Sequence, residues 1–244
     1  MPYREIFEKE QPFHIIAHAV EGRNIFENEA DCYRFIFQLH AANVGKPGIN
    51  LWRKDITEAA KALLRGDQIS PQLVIEEKSP MVSILDFVLN VNHYHLYLVS
   101  NIDNGIPLYM QKLNGGFVRY FNLKHKRKGV LFSSRYKSIP IQTDFQSDAV
   151  SRYINTINPL DVYQPGWRTT GLKSMEGALD FLERYPFSSF PDRIGKRSSK
   201  ILAPFEILEK YCPMNILEDK QKYLTFIKEF LENKIDVPLN FLVD

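Results

Sequence analysis

The run from Met81 to Val99, MVSILDFVLNVNHYHLYLV, constrains this chain more than any other stretch. It is dense in β-branched and aromatic residues, the composition of paired strands. Asp86-Phe87 interrupts it and marks either a turn or a bulge. We read a hairpin whose second strand contains NVNHYHLYLV, with Asn104-Gly105 turning the chain after it.

The flanking segments supply the other layers. FHIIAHAV, from Phe13 to Val20, reads as a first strand, and Glu29 to Leu39 carries apolar residues at helical spacing. The stretch 43–80 begins with Gly45, Pro47 and Gly48, then offers a helix over Asp55–Leu64. Pro107 to about His125 reads as a helix that Gly115-Gly116 weakens near its middle. Gly129 to Ile141 leads into another strand. Thr143-Asp144 caps a helix through Ile154, which Asn158-Pro159 stops. The pattern beyond Gly166 is helical and irregular, and Ile216 to Leu231 forms an amphipathic final helix. The order is strand, helix, strands, helix, strand, helix and a helical tail. It predicts an α+β fold, an antiparallel sheet covered by helices.

Bulk properties narrow the function little. The net charge is +2, so location matters more than the total. Lys124 to Lys128 form one cationic run, followed by Arg135 and Lys137; Arg193, Lys196, Arg197 and Lys200 form a second. Such runs track a phosphate backbone or simply solvate loops. Cys32 and Cys212 lie 180 residues apart, with no CxxC pair, which speaks against structural zinc and fits a reducing cytoplasm. The charged start MPYREIFEKE lacks the apolar core of a signal peptide, and no apolar run approaches the roughly 20 residues that span a bilayer. We therefore expect a cytoplasmic protein without membrane contact.

Two features carry chemistry. On a strand, His93 and His95 project to the same face and can share a metal ion, with Tyr94 pointing into the apolar layer. The bland alternative is one core histidine and one surface histidine. Tyr153 sits on a helix in AVSRYINTINP, 58 residues after His95. A tyrosine hydroxyl titrates near pH 10 and attacks poorly unless activated, which a neighbouring metal site does. Otherwise it is a ring packed on the core.

Together these residues resemble the HUH single-tyrosine transposases, most closely the REP-associated tyrosine transposase branch. FHIIAHAVEGRNIF with DCYRF resembles the family's opening strand, turn and helix, and NHYHLYL its histidine strand. MQKLNGGFVRYFNLKHKRKGVLFSSRYKS resembles the Y-F-N and basic G-x-L-F-x-x-R-Y-K stretch. SRYINTINP resembles the nucleophile helix, and YPFSSF the aromatic-Ser-Ser-aromatic signature. The resemblance spans residues 10–195 apart from 43–80. It implies a ferredoxin-like catalytic domain over 1–195 with an expanded insert at 43–80, and a helical extension over 196–244.

The resemblance implies action on single-stranded or hairpin DNA. His93 and His95 would hold Mg²⁺ or Mn²⁺ and no organic cofactor. Tyr153 would form a 5′-phosphotyrosine link, resealed by the reverse reaction. Asn122, Lys124, Arg135 and Lys137 are candidate DNA contacts, and Tyr136 and Phe132 candidate stacking platforms. The protein would be a monomer or homodimer.

One departure from the family pattern stands out. A third, polar ligand is expected four residues after the tyrosine, where Ile157 stands; Asn158 arrives one residue late. On an ideal helix five residues place Asn158 about 140° from Tyr153. Either the helix unwinds and Asn158 still reaches the metal, or water or another group such as Asn155 or Gln142 completes the shell, or activity is lost. The last case gives a second reading, a family member that binds hairpin DNA without cutting it. A third is an unrelated oxygenase or phosphoesterase that adds His14 and His18 to the HxH pair.

Overall fold

The computed structural model describes residues 7–48, 53–77, 79–212 and 220–232. The chain opens with β1 (Pro12–His18), α1 (Glu29–Val44), β2 (Gly45–Pro47), α2 (Arg53–Arg65) and β3 (Val74–Glu76). The hairpin β4 (Val82–Leu89) and β5 (His93–Ser100) follows, then α3 (Gly105–Lys124) and β6 (Lys137–Pro140). Next come α4 (Asp144–Arg152), a π-helical turn over Tyr153–Ile157, α5 (Asn158–Tyr163) and α6 (Trp167–Thr170). The rest is α7 (Met175–Arg184), α8 (Phe190–Arg193), α9 (Phe205–Tyr211) and α10 (Lys220–Glu232). The expected start of the last helix at Ile216 lies outside the described residues.

The main sheet has the order β4-β5-β1-β6 and every pair is antiparallel. α1 stands in the connection from β1 to β4, and α3 in that from β5 to β6, so two split β-α-β units interlock. This is the α+β antiparallel sheet that the sequence predicts, in the ferredoxin-like arrangement that the resemblance implies. The short β2–β3 ladder sits in the first crossover as a separate sheet. Local chemistry explains the starts of the helices. The Asn28 side chain accepts from the amides of Ala30 and Asp31 at the head of α1, and Thr143 accepts from Gln146 at the head of α4.

Strand register sorts the residues between two faces. Phe13, Ile15, Ala17, Phe87, Leu89, Tyr94, Leu96 and Leu98 belong to one core, closed by Phe35, Phe37 and Leu39 of α1 and Leu113, Phe117 and Phe121 of α3. The other face carries Val88, Tyr97 and Val99, covered by Val150, Tyr153, Ile154 and Leu208. The sheet thus lies between two helical layers. The Asp86-Phe87 interruption is not a turn. Pairing shifts between Ile84 and Asp86, so Leu85 is an inserted residue, and both strands continue past it.

Gly115-Gly116 does not break α3. A Cβ on Gly116 would stand 2.4 Å from Nε2 of Gln38, so the glycine marks where α1 closes on α3. Asn158-Pro159 does not stop the preceding helix either. The chain passes through the π turn into α5, with Pro159 in the first turn of α5. Among the described residues, no helix is long and apolar enough to cross a membrane.

Candidate active site

The register of β1 on β5 sets His18 opposite His93 and Ile16 opposite His95, so His14, His18, His93 and His95 share one face. Their rings form a chain: His18 to His93 at 4.7 Å between centroids, His93 to His95 at 5.0 Å, and His95 to His14 at 5.1 Å. Nε2 of His14 lies 2.9 Å from Nδ1 of His95. A ligand role for His95 therefore falls to Nε2, with Nδ1–H donating to His14. Burial, reinforced by the charges of His14, His93, His18 and Arg168, holds the His95 pKa well below the usual histidine range. His95 is a neutral imidazole, the form that ligates metals.

Nδ1 of His93 is 2.7 Å from Oδ1 of Asn92, an arrangement that suits the tautomer protonated on Nδ1. Its Nε2 then accepts from the amide of Asn90 at 2.8 Å. The same Asn90 nitrogen donates to Oδ1 of Asn158 at 2.9 Å. The lone pairs of His93 and Asn158 thus point at one spot.

The π turn brings Asn158 there. Its backbone amide bonds the carbonyl of Tyr153, five residues back, so the extra residue is absorbed and Asn158 lies one turn above Tyr153. The offset of 140° expected for a straight α-helix is cancelled. The Asn158 side-chain nitrogen also reaches the Tyr153 carbonyl at 3.4 Å. Asn155, a substitute ligand in the sequence reading, is committed elsewhere. It donates to Asp86 at 2.7 Å and to the Ser151 carbonyl at 2.8 Å. Gln142 is exposed at the entry to α4.

Tyr153 is 2% exposed. Its ring stands edge-on to His95 at 5.6 Å and to His14 at 6.1 Å, and the Arg168 guanidinium lies over it at 5.5 Å. Arg168 is carried on α6 and tied to Asp161 at 3.2 Å. His93, His95, Tyr153 and Asn158 are therefore gathered in one place between β5 and the α4–α5 segment.

The YPFSSF signature anchors that segment. Phe187 and Ser189 bond the backbone of β4 along its outer edge. The Ser189 hydroxyl lies 2.7 Å from Oδ1 of Asn155 and 3.1 Å from Asp86. Arg193 donates from Nε to Asp86 at 2.7 Å and from Nη2 to the Leu85 carbonyl at 2.8 Å, at the bulge. Arg193 and Asp86 are both buried, and the carboxylate raises the Arg193 pKa against the effect of burial. The network pins the π turn to β4.

Several residues of the basic runs are tied to partners within the fold, while Lys126, Lys128 and Lys200 are exposed. Lys124 bonds buried Asp31 at 2.8 Å and Glu27 at 3.0 Å, and Asn122 holds Gly129 and Arg127. In the second run Lys196 pairs with Glu183 and Arg197 with Asp192, beside the buried Arg193. Arg135 and Lys137 are exposed, and pairing of Lys137 with Ile16 puts it on the histidine face. Tyr136 is half-buried against Phe7. Phe132 is buried against Tyr94, a core ring.

Sequence reasoning missed Asn90, Arg168 and the Asp86–Arg193 pair. Asn90 was discoverable: a tight Asn90–His93 turn puts residue 90 opposite His93, on its face. Arg168 carries no local signal. Among the described residues, no group of three or more His, Cys, Asp or Glu side chains is placed to hold a metal ion.

Residues 51–156 match the family model described as transposase, IS200-like. The match begins inside the 43–80 stretch that the motifs leave out, and contains His93, His95 and Tyr153. No curated protein matches the chain. A solved structure described as the REP-associated tyrosine transposase bound to a REP hairpin aligns at 14% identity and a TM-score of 0.48, over 84% of this chain and 92% of that one. Through the segment that carries both histidines and the tyrosine, this chain is similar to the IS200-like transposases.

Proposed function

We propose that this protein cleaves and rejoins single-stranded DNA with Tyr153 as nucleophile, beside a divalent cation held by His93, His95 and Asn158. The observation that carries the reading is the π turn, which sets Asn158 above Tyr153 and aims it at the same spot as His93. Neutral imidazoles can ligate a divalent metal, and the Asn158 amide oxygen is the donor of the set that suits Mg²⁺ or Mn²⁺. When bound, such an ion offsets charge developing on the scissile phosphate.

The residues of the chain do the rest. The Tyr153 oxygen attacks phosphorus, the bond from phosphorus to the 3′ oxygen breaks, and that oxygen leaves as a 3′-hydroxyl. The DNA is left 5′-linked to the tyrosine, and the reverse step reseals it without another energy source. Arg168, over the Tyr153 ring, is placed to pair with a phosphate oxygen. Arg135 and Lys137 are candidates to guide the strand, with Tyr136 beside them; the preferred substrate is a hairpin or its single-stranded flank. Lys124 and Asn122 join them as candidates that act by shaping the α3 end.

One observation favours a second reading, binding without cleavage: Tyr153 and Asn158 are almost wholly buried. Under the first reading α6 and Arg168 yield when DNA enters. Incubation of the protein with Mn²⁺ and single-stranded oligonucleotides from DNA flanking its own gene separates the two. A covalent adduct on a denaturing gel, absent from Tyr153→Phe and His95→Ala, is the expected result. Hairpin binding with no adduct selects the second reading.

A further inference from the structure

We propose that Asn90 is a further residue of the cation site, with its amide nitrogen turned inward in the absence of the ion and its oxygen turned inward in its presence. The inference rests on the metal reading above and names a residue that reading lacks.

Three observations lead to it. The Asn90 amide nitrogen stands 2.8 Å from Nε2 of His93 and 2.9 Å from Oδ1 of Asn158. With His93 protonated on Nδ1 and donating to Asn92, and Asn158 donating from Nδ2 to the Tyr153 carbonyl, both neighbours present acceptors to that nitrogen. Second, those separations match adjacent ligands of a small octahedral cation: bonds of about 2.1 Å at right angles put ligand atoms about 3 Å apart. Third, Oδ1 of Asn90 is buried with no hydrogen-bond partner among the described residues, so the present orientation satisfies the nitrogen and abandons the oxygen.

An amide is nearly symmetric in shape. A half-turn about the last side-chain bond exchanges nitrogen and oxygen with little change in volume. Without a cation, the flipped oxygen would face two acceptors and be repelled, so the nitrogen is held inward. With a cation, three acceptors from β4–β5 and α5 meet around it and the flip is favoured. The backbone bond from the Asn90 amide to the His93 carbonyl, 2.9 Å, closes the hairpin and keeps both side chains on one face through the change. Asn90 thus serves as a placeholder that keeps His93 and Asn158 aligned while the site waits for its ion.

The test is Mn²⁺ titration of the full chain, followed by the paramagnetic resonance signal of free Mn²⁺, for wild type, Asn90→Asp and Asn90→Ala. The aspartate keeps the shape and presents a charged oxygen inward; it should lower the Mn²⁺ dissociation constant by about tenfold or more. The alanine should raise it by about tenfold or more. Wild-type binding with an unchanged or weakened Asn90→Asp, or an unchanged or tightened Asn90→Ala, overturns the role of Asn90 and leaves the metal reading standing. No Mn²⁺ binding by folded wild type overturns both. Should the alanine variant fail to fold, the aspartate comparison alone decides.

Discussion

Replacing Arg193 by Met should destabilise the protein far more than loss of an ordinary ion pair. Arg193 and Asp86 are 2% and 0% exposed, and their contact is 2.7 Å. Without the guanidinium, the carboxylate keeps Asn155 and Ser189 among the described residues, both neutral, in a buried site. Stranding a buried charge in this way costs about 3–5 kcal/mol. For a chain of this size each kcal/mol lowers Tm by about 2–4 °C, so a fall of about 6–20 °C is expected. Lys196→Met is the control. It removes an ion pair of the same sequence cluster whose lysine is 44% exposed, and should cost no more than about 1 kcal/mol. Adding Asp86→Asn to Arg193→Met removes the stranded charge and should recover part of the loss. Thermal and urea unfolding followed by circular dichroism measure all four proteins. An Arg193→Met variant within about 1 kcal/mol of wild type would refute the reasoning, since the pair would then not be acting as a buried charge.

Other consequences are open to direct measurement. Deleting Ile157 converts the π turn to α-helical spacing and leaves an asparagine four residues after Tyr153, so Mn²⁺ binding should persist. Inserting one alanine after Ile157 rotates Asn158 by about a further 100° and should abolish it; equal binding by both variants would contradict the role given to the turn. Lys124→Ala strands buried Asp31 and should lower stability, whereas Lys137→Ala should leave stability unchanged, weaken DNA binding and reduce its salt dependence. The reverse pattern would place the DNA path at the α3 end. Burial pushes the Cys32 thiol up to about 12, and burial also carries Cys212 to about 11. Alkylation of the native protein should stay slow from pH 7 to 9, and become fast in urea; rapid native labelling would show that one of these thiols is accessible.

Much of this was legible in the sequence because it depends on short-range periodicity. The alternation in NVNHYHLYLV fixes the face of His93 and His95, and the order of elements implies an antiparallel sheet covered by helices. What escaped depends on contacts between distant segments. Gly115-Gly116 looks like a weak point in α3 until Gln38 of α1 is seen against it. Asn158-Pro159 looks like a stop because propensity describes an isolated helix. Here Asp86 and Ser189 hold Asn155 and so stabilise a turn with one residue too many. The cationic run at 193–200 looks like a phosphate path, yet its acids lie at Asp86, Glu183 and Asp192. Local charge counting cannot see partners that folding supplies.

The central claim is that Tyr153 carries the DNA, and the direct measurement is the mass of the adduct after exhaustive nuclease digestion and proteolysis. The peptide from Tyr153 to Arg168, YINTINPLDVYQPGWR, holds two tyrosines, at 153 and 163. Fragmentation that places a residual nucleotide phosphate on Tyr153 is the result predicted here. The same mass on Tyr163, or on any peptide outside this one, would contradict the assignment.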